Sequence, residues 1–281
     1  MNEEWTTVIK PKTGWLDINL KEIWQYRDLL FMFIKRNYKS AYKQTILGPL
    51  WFLITPLLTS SVFTVVFGKI AQISTDGVPQ FLYYMAGNTA WAYFSTCLTS
   101  TASTFTGNAG LFGKVYFPRL ITPLSTVIYA MLSFFLQLIL MICLMVYFAV
   151  SSPGCIHPNG WITLLPLMVV QMAMLGMGTG IIISALTTKY RDLSILVGFG
   201  VQLWMYATPI VYPLSAVPSN LRGLILLNPM MPVVNNFKYA FLGCGEPEIF
   251  SWAISWGMTL LLLFVGIIIF SRVEKTFLDT V

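Results

Sequence analysis

Residues 120–150 read LITPLSTVIYAMLSFFLQLILMICLMVYFAV, without a single Asp, Glu, Lys, Arg or His. About 20 helical residues cross the hydrocarbon core of a bilayer. This run is longer than one perpendicular crossing requires, so it tilts or projects beyond the bilayer. Blocks of the same kind flank it: Ile46–Phe67 and Gln80–Ala102 before it, then Trp161–Leu186, Leu193–Tyr212 and Ser251–Ser271. None of the six contains an ionisable Asp, Glu, Lys, Arg or His. Composition agrees: 56% of the 281 residues are hydrophobic and 10% charged, against roughly 25% charged in a soluble domain. The residues that would make a polar shell are missing. The sequence predicts an all-α integral membrane protein with six transmembrane helices.

Residues 1–45 stand apart as a cytoplasmic leader followed by an amphipathic interface helix, with the six-helix transmembrane domain over 46–281. The leader has no short apolar stretch ending at a small-residue cleavage site, so the block from Ile46 reads as a permanent anchor. From Leu20 to Lys39 the apolar residues Leu20, Ile23, Trp24, Leu30, Phe31, Ile34 and Tyr38 recur at three- and four-residue steps, the period of a helix. Asn19 with Glu22 three residues on has the form of a capping box. Lys21, Lys35 and Lys39 lie on the other side, which suits a helix in the headgroup plane; a plain soluble helix is the alternative. Between the fifth and sixth blocks, residues 213–250 contain five prolines, and the apolar pieces Leu224–Leu227 and Val233–Leu242 are too short to span. They read as short re-entrant or interfacial helices outside the membrane.

The basic residues set the orientation. With both termini cytoplasmic, Lys10, Lys12, Lys21, Arg27, Lys35, Arg36, Lys39, Lys43, Lys114, Arg119, Lys189, Arg191, Arg272 and Lys275 fall inside, fourteen of the 17. Only Lys69, Arg222 and Lys238 fall outside. The inverted topology would reverse this bias. The net charge of +6 then follows from the asymmetry and from attraction to anionic membrane lipid, without invoking nucleic acid.

Several functions are disfavoured. Ion-coupled carriers keep ionisable groups within the membrane, and these blocks have none; sodium coupling through carbonyls alone stays open. His157, the one histidine, has no second His, Cys or carboxylate beside it, so neither a metal site nor a catalytic base with an orienting partner is expected. Cys97 and Cys143 lie inside apolar blocks, and a pairing of Cys155 with Cys244 stays open. The run Gly107–Val115 imitates a phosphate loop, but its Gly107–Gly113 spacing is one residue too long. Val115 also replaces the magnesium-binding Ser or Thr, so no cofactor is expected on this chain and ATP energy has to come from a partner.

Two groups of residues are candidates for function. Aromatic rings crowd the blocks, and Tyr83, Tyr84, Trp91 and Phe94 share one helix with Asn88, Thr99 and other hydroxyl residues. With Trp204 and Tyr206 they could line a polar, non-ionic path for sugar rings; an interfacial aromatic belt and helix packing are the alternatives. Gly176, Gly178 and Gly180 read as packing residues. The turns Lys114–Arg119 and Lys189-Tyr190-Arg191-Asp192 are short, charged and cytoplasmic. Either they anchor by charge alone, or Lys114, Arg119, Lys189, Arg191 and Asp192 dock onto a cytoplasmic motor.

At these same places the sequence resembles the type-2 ABC exporter permeases of the O-antigen, capsular polysaccharide and teichoic-acid export family. The stretches that carry the likeness are Trp24–Leu29, Tyr42–Trp51 with Pro56, Lys114–Arg119 with Pro123, Tyr190–Leu193, Pro209–Pro213 and Leu227–Met230, in that order. The resemblance implies a homodimer carrying two copies of a separate nucleotide-binding ATPase, with ATP and magnesium held on that partner. It also implies a gate helix around Tyr26, Arg27 and Asp28, and two short external helices between spans five and six. The expected function is export of a lipid-linked polysaccharide across the cytoplasmic (inner) membrane. The rivals are an exporter of drugs or small lipids and a membrane-embedded glycosyl or acyl transferase. The latter would need external acid/base residues, and only Asp76, Glu246 and Glu248 are external acids.

Overall fold

The computed structural model describes residues 20–280 apart from Gln44 and Arg191. The polar leader, the Asn19 half of the capping box and Arg191 therefore lie outside the described residues. Within them the chain is built of helices, with no strand.

Helices α1 (Leu20–Gln25) and α2 (Arg27–Tyr42) form one amphipathic rod with a break at Tyr26, where φ is −92° and ψ 21°. Tyr26 N still bonds Glu22 O, and Leu30 N bonds Tyr26 O, both at 3.1 Å, so the break bends the rod without ending it. A tight turn over Gly48–Leu50 leads into α3 (Trp51–Phe63), which widens into a π-helical stretch, Thr64–Ile70. Widening displaces carbonyls from their usual donors, and Gln80 Nε2 supplies Gly68 O at 3.3 Å.

Helix α4 (Gln80–Ala102) is the hub. Sixteen of its 23 residues are buried, because α3, α6, α7 and α10 pack around it. After α5 (Thr104–Phe112) come α6 (Ile121–Ser151), α7 (Leu165–Lys189), α8 (Leu193–Tyr206), α9 (Ser219–Leu226), α10 (Met230–Leu242) and α11 (Ile249–Thr280). α7 is sandwiched between α4 and α11 with almost no separation. A Cβ at Gly180 would lie 2.6 Å from Leu98 O, and one at Gly178 would lie 2.8 Å from Leu263 Cα. Small residues at such crossings let backbones approach, the main source of helix association in lipid. A polar clamp crosses the same layer: Trp252 Nε1 donates to Gln171 Oε1 at 2.6 Å, and Gln171 Nε2 to Ser255 Oγ at 2.8 Å.

Among the described residues, four helical stretches are long and apolar enough to cross a membrane: Gly48–Ile70, Ile121–Ser151, Gly160–Thr188 and Ile249–Val273. The expected second span coincides with α4, whose 23 residues give the length but whose hydroxyl content makes it more polar. Of the expected fifth span, Leu193–Tyr212, only the part to Tyr206 is helical, about 21 Å long at 1.5 Å per residue, and the chain from there to Tyr212 is not. The two short helices after it differ from each other. α9 is largely exposed, whereas α10 is buried along most of its length and is therefore part of the core rather than a surface helix. Residues 157–159 lie across its C-terminal end, with His157 N on Leu242 O and Asn159 N on Ala240 O, both at 3.1 Å. Gly243, at φ +72°, turns the chain directly beneath His157, a conformation that favours glycine. The four cysteines are free thiols.

At the opposite end of the bundle a second apolar cluster joins α2 to the rest. Phe33 of α2 packs with Phe105, Phe112, Phe117, Ile121, Ile181 and Phe270. Phe33 meets Phe117 edge-on at 5.5 Å, and Phe105 stacks on Phe270 at 4.7 Å.

Candidate functional site

The rings expected to line a path turn inward. Tyr83, Tyr84, Trp91 and Phe94 are 0–4% exposed and Asn88 is 8% exposed. Phe94 and Trp91 close on Trp204 at 5.1 and 6.3 Å, and Tyr84 meets Phe63 at 6.3 Å. The four rings thus join α4 to its neighbours, with Asn88 buried beside them. Trp204 is half-buried, while Thr99 and Tyr206 are exposed. The open face of α4 belongs to its hydroxyls: Thr96, Thr99 and Ser103 are exposed, and Thr106 continues the line on α5. Each of Thr99, Ser103 and Thr106 donates to a backbone carbonyl three or four residues back, which leaves their lone pairs turned outward. That face is polar and carries no charge.

Beside it, α8 stands off the bundle. None of its residues is buried, and an apolar groove of about 370 Å³ separates it from α4 and α7, lined by Leu98, Ile183, Leu186, Leu196, Val201 and Trp204 among others. Its start is capped by Asp192, whose carboxylate accepts from Leu193 N at 3.1 Å. Helix capping is therefore the structural task of Asp192. Lys189 ends α7.

The turn between α5 and α6 divides into two kinds of residue. Lys114, Val115 and Tyr116 are exposed at its tip. Arg119 is only 9% exposed, with its guanidinium 5.2 Å from the Phe112 ring centre. Of these two candidate docking residues, Lys114 is exposed and Arg119 is turned into the fold. Tyr26 is half-buried against the same cluster, and Tyr116 Oη bonds Glu22 Oε1 of α1 at 3.3 Å. Arg27 and Asp28 are exposed, 3.9 Å from each other. The rod α1–α2 and this turn form one contiguous surface.

Sequence reasoning missed two residues. Lys238, which it counted only as an outside charge, is 2% exposed and lies on α10. Its ammonium donates to Pro209 O at 2.7 Å and Ile210 O at 2.8 Å, over the Tyr83 ring at 3.7 Å. Burial pushes Lys238 down to about 7, while the two carbonyls and the ring face favour its proton. Asn228 uses both ends of its amide: Oδ1 accepts from Trp204 Nε1 at 2.9 Å and from Met230 N at 3.0 Å, and Nδ2 donates to Thr208 Oγ1 at 2.8 Å. The available signal was a lone lysine inside the apolar run Val233–Leu242.

Comparison with known proteins places this geometry. A family model described as ABC-2 type transporter matches residues 28–242. An O-antigen export system permease protein of Myxococcus xanthus is 28% identical over 265 residues, covering 93% of this chain and 98% of that protein. Two proteins of Klebsiella pneumoniae with the same description are 27% and 26% identical, each over 90% of this chain and 94% of their own length.

Proposed function

The chain belongs to the ABC-2 type transporter family, and from that premise we propose that it is the membrane subunit of a polysaccharide exporter. Its substrate is a lipid-linked, O-antigen-like glycan carried from the cytoplasm across the cytoplasmic membrane. The observation that carries this reading is end-to-end similarity to O-antigen export permeases in a chain whose exposed α4–α5 face offers hydroxyls and no charge. Sugar hydroxyls exchange hydrogen bonds with such a face, and no ion relay is needed.

In this reading six segments cross the bilayer, α4 and α8 joining the four long apolar helices, with α1–α2 in the cytoplasmic interface. Two copies form the conduit about a two-fold axis, and Thr99, Trp204 and Tyr206 stand on the part of the surface left open for it. Tyr83, Tyr84, Asn88, Trp91 and Phe94 hold that wall in place. Two copies of a cytoplasmic ATPase, binding ATP and magnesium, push on the Lys114–Arg119 and Lys189–Asp192 turns. The short connection from each turn to its helix passes the push on.

Deleting the gene should clear the glycan from the cell surface and accumulate lipid-linked chains inside. Loss of a small lipid or drug from the export profile with surface glycan intact would favour the first rival. Glycosyl or acyl transfer by the purified chain without an ATPase would favour the second.

The topology has its own test. Cys155 is part-exposed in the loop after α6, Cys244 is buried, and Cys97 is buried in α4. Burial also pushes the Cys244 thiol up to about 11, away from the reactive thiolate. An impermeant maleimide added to intact cells should therefore label Cys155 alone of these three. A cysteine engineered at Lys114 should stay unlabelled, and its reaction from outside would reverse the orientation.

A further inference from the structure

The stretch after α8 is irregular and yet buried: Thr208, Pro209, Ile210 and Val211 all turn into the protein. Buried backbone outside a helix has to find donors other than water. One side chain supplies two of them. Lys238 Nζ donates to Pro209 O at 2.7 Å and to Ile210 O at 2.8 Å, 3.7 Å from the centre of the Tyr83 ring. Asn228 takes the positions before these, its Nδ2 donating to Ala207 O at 3.3 Å and Thr208 Oγ1 at 2.8 Å. Two rings are tied to the same stretch. Trp204 donates from Nε1 to Asn228 Oδ1 at 2.9 Å and accepts at its carbonyl from Thr208 Oγ1 at 2.8 Å. Tyr206 O accepts from Tyr212 Oη at 3.2 Å.

Lys238 has little room for another position. It passes Gly87 of α4, where a Cβ would lie 2.9 Å from Lys238 Cε and 3.1 Å from Ile210 Cγ2 and Ile210 O. α4, α10 and the buried stretch therefore meet at one point, and a residue without a side chain makes the meeting possible. Among the described residues no carboxylate is paired with the ammonium; Cys244 and Asp76 act on it from farther off. Its hydrogen bonds go to backbone carbonyls alone, so holding backbone is the task its geometry performs.

We infer that Lys238 is a positioning residue for the external end of the transport path, holding Pro209 and Ile210 against α4 so that Thr208 and Asn228 set the place of Trp204. The inference rests on the reading of the chain as a transport subunit with Trp204 on the open surface. The clasp carries a pH signature. A neutral amine still has two N–H groups for the two carbonyls, and burial, with Tyr83, Cys244 and Asp76 as the titratable groups around it, pushes Lys238 down to about 7. A lysine released to water keeps its proton to a higher pH. The seated form is therefore favoured progressively as pH rises above about 7 and gains nothing below it.

The test takes the full chain in nanodiscs of phosphatidylethanolamine and phosphatidylglycerol and follows amide hydrogen exchange, corrected for its intrinsic pH dependence. Lys238→Met keeps the volume and removes the donors. It should speed exchange over residues 207–212 about tenfold or more, with α6 unchanged. Gly87→Ala keeps the amine but crowds its stem, and should give the same local pattern. In the wild type, protection of residues 207–212 should grow about tenfold or more between pH 6 and pH 9, and Lys238→Met should abolish that slope. In cells containing both subunits, Lys238→Met should hydrolyse ATP yet export several-fold less glycan per ATP. Unchanged exchange in Lys238→Met, equal acceleration in α6, a flat wild-type pH profile or a wild-type export ratio would each overturn the positioning role. Should Lys238→Met fail to fold, the wild-type pH profile and Gly87→Ala are read in the same assays. Absence of any glycan export by the wild type would instead strike the transport reading, and the exchange data would still decide whether Lys238 holds the stretch.

Discussion

Replacing Gly178 by alanine is expected to remove most of the folded protein, although the change adds one methyl group. The new Cβ would lie 2.8 Å from both Cα and N of Leu263, and backbone atoms in the middle of a helix cannot step aside as a side-chain tip can. α7 and α11 would have to separate, and Gly266, whose own Cβ would lie 2.8 Å from Gly178 O, would lose its fit as well. Overpacking typically costs about 1–3 kcal/mol, and against a backbone the upper end applies. Gly198 of α8 is the control, because nothing lies within 4 Å of a Cβ there. Gly198→Ala should match the wild type or gain slightly from better helix propensity. Monodisperse yield and thermal unfolding in one detergent measure both. Equal stability of Gly178→Ala and Gly198→Ala would contradict the close α7–α11 crossing.

The second large effect separates two residues that the charge pattern treats alike. Lys114→Glu combined with Val115→Asp changes only the exposed tip of the α5–α6 turn. The chain should insert and fold normally while ATPase association falls about tenfold to a hundredfold, as when central residues of an interface are lost. Arg119→Glu should act through the fold instead. It replaces a buried cation stacked on Phe112 with a carboxylate facing a π cloud, at a cost of about 3 kcal/mol. Phe33 of α2 and Phe117 share that cluster, so the interfacial rod should loosen with it. Co-purification of the ATPase with each variant, beside protease sensitivity of residues 20–43, distinguishes the two modes. Full ATPase binding by the Lys114/Val115 double variant would move the docking surface to the exposed side of α1–α2 around Arg27 and Asp28.

Most of the long helices were legible in the sequence, because a bilayer-length run free of charge has few other structures open to it; the short α5 and the early end of α8 at Tyr206 were not. Gln80–Ala102 could be read off to the residue, α6 to within one, and the close-packed glycines by type. What periodicity could not supply was the rotation of each helix about its own axis. A helix half in contact with water should show its inner face as an apolar stripe, yet on α1–α2 the structure corrects the stripe read from periodicity: Trp24, Phe31 and Tyr38 are exposed, and Phe33, outside that stripe, points to the core while Lys35 and Lys39 stay out. α4 has neighbours on several sides, so apolar residues surround it, and no stripe tells which rings meet Trp204 and which hydroxyls stay open. Its large aromatic residues took the inside, where their area is buried most fully, together with Thr89 and Thr101, while Thr96 and Thr99 took the outside, where Thr99 back-bonds to its own helix. Lys238 and Arg119 escaped for a related reason. A basic residue in the sequence carries a side of the membrane by its charge, but its depth depends on whether other elements bring carbonyls or rings to it. Pro209, Ile210 and Tyr83 meet Lys238 from 29, 28 and 155 positions away in the chain, and only the tertiary packing of α4, α10 and the stretch after α8 assembles them around one ammonium.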